Sequence, residues 1–306
     1  MGLDTTMMRI PISDLDVIYL SYDEPMKEKF WLEIQTKLPW AIRVDGVKGS
    51  DAAHKAAAEA SSTDRFILID GDNMPDFDFF DQNIILTDKT EHAVFRWRAR
   101  NNINGLVYGN GGLSCWTKQF VRNMKTHEAS DGRDETLVEF CFDPFYIPLH
   151  NSYSTTYPNG SPLHAWRAGF REGVKMCLDR GRKVDLDEFK AMATWKNIEH
   201  LNIWHSIGAD AEHGYWATYG ARLGTYMCMI DANWDYTNVQ NFDALAKIFT
   251  SCESLGINGR RDHYIKISQE IRSKLGLPCI DMNAEQSAFW KKYYAKLHGN
   301  KGIMDQ

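Results

Sequence analysis

Arg65-Phe66-Ile67-Leu68-Ile69-Asp70-Gly71-Asp72-Asn73 decides how this chain is read: an apolar run ends abruptly in two aspartates that flank a glycine. A short run rich in branched apolar side chains predicts a buried strand, and the Asp-Gly pair predicts a turn at its end. Working backwards, Asp16–Ser21 (DVIYLS) is a first strand of the same kind, followed by the polar loop Tyr22-Asp23-Glu24-Pro25. Pro25 suits the first turn of a helix running to about Leu38. Trp40–Val44 reads as a second strand closed by Asp45-Gly46, and the alanine-rich stretch Ala52–Ala60 as a helix capped by Ser50 or Asp51. Strand, helix, strand, helix, strand is the rhythm of an α/β fold with a parallel sheet. Ligands of such sheets gather at the carboxyl ends of the strands. The loops Tyr22–Glu24, Asp45–Ser50 and Asp70–Asn73 are therefore expected to converge.

The 306 residues include 43% hydrophobic and 25% charged side chains, ordinary globular usage that allows a sizeable core. The longest apolar runs, Phe66–Ile69 and Ile84–Leu86, are far too short for a membrane span, and no basic-then-apolar leader opens the chain. The six cysteines lack CxxC spacing, so a zinc knuckle or disulfide framework is not expected, and reduced thiols point to the cytoplasm. The net charge of −6 argues against a general nucleic-acid binder. Its distribution is uneven: 16 basic and 24 acidic side chains in residues 1–150 give −8, and 19 against 17 in residues 151–306 give +2.

Beyond the acidic motif, His92–Trp97 alternates like a strand, and Asn101–Gly112 is rich in Gly and Asn, which permits close backbone approach. Ser161-Pro162 is a helix start. Leu163, Trp166, Phe170, Val174 and Cys177 form its apolar stripe, and Arg167, Arg171 and Lys175 a basic stripe beside it. Gly181 is placed to end that helix. From Asp185 the chain reads as mostly helical, and Asn283 with Gln286 forms a capping box before a last helix expected to bury Phe289, Trp290, Tyr293 and Leu297.

Two carboxylates one residue apart at a strand end can both address a hard divalent cation, which shares its shell with phosphates. Asp70 and Asp72 are thus the expected metal ligands, for Mn²⁺ or Mg²⁺, and would offset charge on a diphosphate leaving group. Acidic turns are common, so the position after the third strand carries the inference. Tyr22 and Asp23 are candidates for the nucleotide, and His54 and Lys55 for diphosphate or base, although Lys55 equally suits a solvated surface. Asp134 and Glu135, with Asp143 behind them, are candidates for a general base. His213, beside Gly214, is the candidate third metal ligand, against the ordinary hydrogen-bonded role of most histidines.

The order DVIYLSYDEP, GVKGSDAAHKAAAEA, FILIDGDNMPDFDF resembles the nucleotide-sugar-binding half of GT-A glycosyltransferases. More narrowly, VKGSDAAHKAAAEAS with FILIDGD, RWRARNNINGLVYGNGGLSCW and STTYPNGSPLHAWRAGFREGVKM resemble a group of phage-encoded glycosyltransferases. The likeness covers roughly residues 15–230. It implies a GT-A, Rossmann-like mixed sheet flanked by helices over residues 1–230, with a helical extension over 231–306. It also implies a nucleotide-sugar donor, most plausibly a UDP-sugar, and hydroxymethylated pyrimidine in phage DNA as acceptor. Carried over by motif, Asp70 and Asp72 would bind metal and diphosphate, and His54 and Lys55 would face the donor. Asn101, Asn104, Tyr108 and Gly112 would line the sugar or acceptor region, and Arg167 and Arg171 would contact phosphate of the donor or of DNA. A modified base would have to leave the stack to be reached, and Trp97, Trp116 and Trp166 would either support it or belong to the core. The acidic net charge departs from what duplex binding leads one to expect. A glycan, protein or small-molecule acceptor, or a catalytically silent nucleotide-sugar-binding module, remain the alternatives.

Overall fold

The computed structural model describes residues 7–109, 112–124, 126, 128, 140–141, 143–231 and 233–298. Its first strands follow the apolar runs: β1 is Met8–Pro11, β2 Asp16–Ser21, β3 Ile42–Asp45 and β4 Arg65–Asp70. Helices α1 (Lys27–Lys37) and α2 (Ser50–Ala60) connect β2 to β3 and β3 to β4. Strands β3 and β4 both pair in parallel with β2, so the expected βαβαβ unit is present.

The sheet then becomes mixed. Strands β5 (Asn73–Pro75), β7 (Val94–Asn101), β8 (Val107–Tyr108), β9 (Leu113–Thr117) and β10 (Tyr146–Thr156) extend it in the order β3-β2-β4-β9-β7-β10-β5, with β8 paired to β7. Strand β9 runs antiparallel to both β4 and β7, while β10 is parallel to β7. Side chains alternate across β2 and β4 as a two-sided buried strand requires. Val17, Tyr19, Ile67 and Ile69 join Phe30 and Ile34 of α1 on one face. Ile18, Phe66 and Leu68 join Ala57 of α2 and Phe120 of α3 (Lys118–Asn123) on the other. Strand β6 (Asn83–Leu86) pairs with β1 as a separate two-stranded arm, lying on the first face through Ile10, Ile12, Ile84 and Leu86.

The helical part begins at Pro162, and position 230 falls at the end of one of its central helices. It comprises α4 (Pro162–Lys175), the single turn α5 (Phe189–Met192), α6 (Trp195–Ser206), α7 (Gly214–Met229), α8 (Phe242–Ser254), α9 (Gly256–Leu275) and α10 (Ala284–His298). Helices α4 and α7 meet backbone to backbone. Gly169 and Gly173 oppose Ala217 and Ala221, and Gly220 and Gly224 oppose Trp166 and Phe170. A Cβ at any of the four would fall inside contact distance of a facing carbonyl oxygen. One core cluster takes in Trp166 and Phe170 of α4, Leu223 of α7, Phe249 of α8 and Ile271 of α9. Another joins Ile103 and Leu106 of the β7–β8 turn to Ala165, Trp204, Ala217 and Tyr294, fusing sheet and helices. Among the described residues no helix is long and apolar enough to cross a membrane.

Three local expectations are corrected and one alternative is decided. Ser50 and Asp51 do not cap α2 with their side chains; their N–H groups donate to the Glu128 carboxylate at 2.5 and 3.2 Å. Gly181 does not end α4. With Arg180 it occupies the left-handed region (φ 79° and 48°) in the two-residue turn between β11 (Leu178–Asp179) and β12 (Arg182–Lys183), a geometry that matches strand twist. The capping box at Asn283 and Gln286 forms with reciprocal bonds of 3.0 and 2.8 Å. The buried face of α10, however, carries Ser287, Trp290 and Tyr294, leaving Phe289 and Tyr293 exposed, while the Leu297 side chain lies outside the description. Trp97, Trp116 and Trp166 are core residues, each at most 1% exposed, and none is free to stack on a displaced base.

Candidate functional site: a carboxylate cluster facing Arg167

The site sits where β2 and β4 end side by side. Parallel pairing sets Leu20 opposite Asp70, so the loop after β2 and the Asp70-Gly71-Asp72 turn must adjoin. Glu24 reaches across from that loop. Its Oε2 accepts from Tyr22 N–H at 2.7 Å and lies where a Cβ on Gly71 would be, so this position tolerates only glycine without displacing Glu24. From below, the Tyr19 hydroxyl donates to the Gly71 carbonyl at 2.8 Å and fixes the turn. Gly112 closes the other side: its carbonyl accepts from Asp70 N–H at 2.8 Å. Its φ is +75°, and a Cβ there would stand 2.6 Å from Asp70 Oδ2.

Asp70 and Asp72 are half-buried, each enclosed by protein yet reachable from one side. Burial, followed by the charges of Asp72 and Glu24, pushes the Asp70 carboxyl up to about 7. Burial and Glu24 push Asp72 up to about 6, against a hydrogen bond from Thr156 and the positive charge of Arg167. The two sign-determining facts are thus crowding of like charge and loss of water, the conditions that favour either a proton or a cation.

Helix α4 supplies the opposing charge. Ser161 caps it by accepting from His164 N–H at 3.3 Å, and Pro162 occupies its first turn, as the sequence predicts. Its side chains His164, Arg167 and Arg171 succeed one another along one flank. The Arg167 guanidinium stands 4.0 Å from Asp23 and His164 3.9 Å from the same carboxylate. Arg167 also feels Asp72 and Glu24, although burial draws its pKa down. Phe242 lies under both guanidiniums, 4.3 Å from Arg167 and 5.1 Å from Arg171, and Arg171 donates to Gln240 at 3.0 Å. Both arginines are therefore held inward by stacking. The buried His164 Nε2 and Arg171 Nε carry no hydrogen bond, and the guanidinium Nε–H is a donor.

The structure brings together Tyr22, Asp23, Asp70, Asp72, Gly112, Arg167 and Arg171. It sets His54 elsewhere: the ring packs 4.8 Å from Trp116 and 5.2 Å from Phe140, and its Nδ1 bonds the Ser50 carbonyl. Burial lowers its pKa, as suits a neutral core histidine. Lys55, next along the same helix, is exposed. Asn104 is a turn residue whose Oδ1 accepts from Leu106 N–H at 3.1 Å. Tyr108 is half-buried and donates to Glu172 of α4, while Trp204 Nε1 donates to it at 2.8 Å. It ties β8 onto α4. His213 adopts φ 56° at the start of α7 with its ring 3.6 Å from Glu212. Asp143 serves a turn, accepting from Phe145 N–H at 2.8 Å. Asp134 and Glu135 lie outside the described residues. Sequence reading missed Glu24, His164, Thr156 and Phe242. Glu24 was within reach, since it lies in a loop expected to converge; Thr156 and Phe242 depend on strand and helix neighbours that no local pattern reveals.

Among the described residues no three His, Cys, Asp or Glu side chains converge as a ready-made metal site. The carboxylates present nonetheless fit a hard divalent cation. Asp70 and Asp72 would hold it, with Glu24 beside them, and Mg²⁺ or Mn²⁺ bound through one or two carboxylates completes its shell with phosphate and water. Comparisons with protein-family models, with curated proteins and with solved structures give no match.

Proposed function

We propose that this chain is a divalent-cation-dependent glycosyltransferase with a GT-A type donor site, moving a sugar from a nucleotide-sugar, a UDP-sugar first of all, to a hydroxyl acceptor. The observation that carries the reading is the placement of Asp70 and Asp72, two carboxylates with raised pKa at the carboxyl end of a parallel strand, opposite the inward-held Arg167. Asp70 and Asp72 would hold the cation, and a bound cation would offset the charge that develops on the departing diphosphate. Thr156 orients Asp72 through its hydrogen bond. Arg167 and Arg171 suit the phosphate oxygens, and Asp23 suits the ribose or base. In the transfer, the acceptor oxygen bonds to the anomeric carbon as that carbon's bond to diphosphate oxygen breaks, and the hydroxyl proton passes to a base. Asp134 and Glu135 are the sequence-based candidates for that base. We assign hydroxymethylpyrimidine in DNA as the acceptor on the segment resemblance alone; the inward turn of Arg167 and Arg171 favours the donor, not DNA, as their phosphate partner.

Calorimetric titration of UDP with and without Mn²⁺ tests the donor site. Binding that requires the cation and vanishes in Asp72→Ala is expected; binding of no nucleotide-sugar by the wild type would overturn the donor-site reading, and binding without transfer to any acceptor would leave the silent module. Mass analysis of hydroxymethylated against unmodified DNA after incubation with UDP-sugars tests the acceptor, and transfer to a glycan but never to DNA would overturn it.

A further inference from the structure

A second cavity, of about 500 Å³, lies between the β1–β6 arm and the β7–β10 pair, away from the carboxylate cluster. Its origin is a defect in pairing. Arg96 on β7 pairs with Pro148 on β10, but Arg98 pairs with Ser152, so β10 carries two extra residues across this step. Leu149, His150 and Asn151 bulge away from β7, and a bulge re-aims side chains and opens the sheet locally. The arm roofs the opening. Ile84 and Ile85 from β6, Phe95 and Trp97 from β7 and Leu149 from the bulge make an apolar interior. Met7 and Met8 border it, and flexible thioether chains adapt to an irregular occupant.

Two polar side chains of the lining, Arg9 and His150, present donors, beside Thr87, Thr90 and Asn151, which both donate and accept. Arg9 stands on the β1 wall and forms no ion pair among the described residues. His150 stands on the β10 wall, and its Nδ1 is bonded by the Arg98 guanidinium at 2.7 Å. A guanidinium only donates, so Nδ1 is the acceptor and Nε2 carries the ring N–H. Trp97 is fully buried, and its indole N–H has no acceptor among the described residues. Thr87 and Thr90 bond each other at 3.1 Å. Donors from two walls above an apolar interior complement an anion carrying an apolar chain.

We propose that this cavity binds a free single-chain fatty carboxylate, the chain between the arm and the bulge and the head at Arg9 and His150. Its volume lies in the range of small-molecule sites, roughly 300–1,000 Å³. Titration of the full chain with dodecanoate below its micellar concentration is the test. One equivalent should bind with a dissociation constant on the order of 10 µM. Arg9→Gln and replacement of the ligand by dodecanol should each weaken binding about tenfold. Ile85→Trp, which fills the cavity, should abolish it while leaving the circular dichroism spectrum and the UDP–Mn²⁺ titration unchanged. Absence of saturable binding, several equivalents, an affinity indifferent to Arg9→Gln, or tighter binding of naphthoate than of dodecanoate would each overturn the proposal. Because the UDP–Mn²⁺ titration reads a different place in the molecule, the donor-site reading stands or falls separately.

Discussion

Asp70 and Asp72 are stabilised as acids by the fold itself, and the sign of the pH dependence follows. Each binds a proton more tightly folded than unfolded, with pKa values near 7 and 6 against 3.8. Between pH 4 and 7 the native state therefore holds more protons, and stability falls as pH rises through that window. In EDTA the melting temperature should drop from pH 5 to pH 7.5, and Asp70→Asn should flatten the profile while raising the unfolding free energy at pH 7.5 by about 1–2 kcal/mol. Mn²⁺ should reverse the drop, with affinity growing as pH passes 6–7 because the cation displaces protons. A melting temperature that rises with pH in EDTA would contradict the assigned environment. At the same scale, Arg167→Ala should weaken UDP–Mn²⁺ binding about ten- to a hundredfold through loss of a charge-assisted contact, and Phe242→Ala less, both read by calorimetry. The paired aspartates were legible because they follow an apolar run at a place where topology alone predicts ligands. Glu24 was placed nearby by its loop, but its contact with the turn was not legible, because it depends on a glycine two strands away in sequence having no side chain.

Helix α4 carries the cationic half of the site, and its position depends on four glycines. A methyl at Gly220 would press on the Trp166 carbonyl oxygen, backbone against side chain with nothing flexible to yield. Gly220→Ala should cost about 2–3 kcal/mol in denaturant unfolding. It should also weaken UDP–Mn²⁺ binding although residue 220 touches no ligand, because Arg167 shifts with the helix. Unchanged affinity would detach the helix crossing from the site. The start of α4 was readable from Ser161-Pro162 and its apolar stripe from spacing. The glycine pairs were not read, since each matters only against the other helix. Gly181 was misread for a related reason: a glycine after an apolar stripe suits a helix end or a tight hairpin, and Arg180 in the left-handed region decides for the hairpin.

Across the molecule, the sheet and the helices share a core through Ile103, Leu106, Ala165, Trp204 and Tyr294. They should unfold together: tryptophan fluorescence, drawn from ten tryptophans spread over sheet and helices, and helical circular dichroism at 222 nm should give coincident thermal transitions. Two separated transitions would mean independent folding units. The βαβαβ half was legible because each strand pairs with its near neighbour. The insertion of β9 between β4 and β7 was not, since antiparallel pairing across some fifty residues leaves no periodic trace. The locked crossing of α4 on α7 has a last consequence for motion. A helix that cannot slide without a backbone collision cannot travel to meet its substrate. Among the described residues, closing over a donor would therefore fall to the other jaw, the Tyr22–Pro25 segment, with α4 as the anvil.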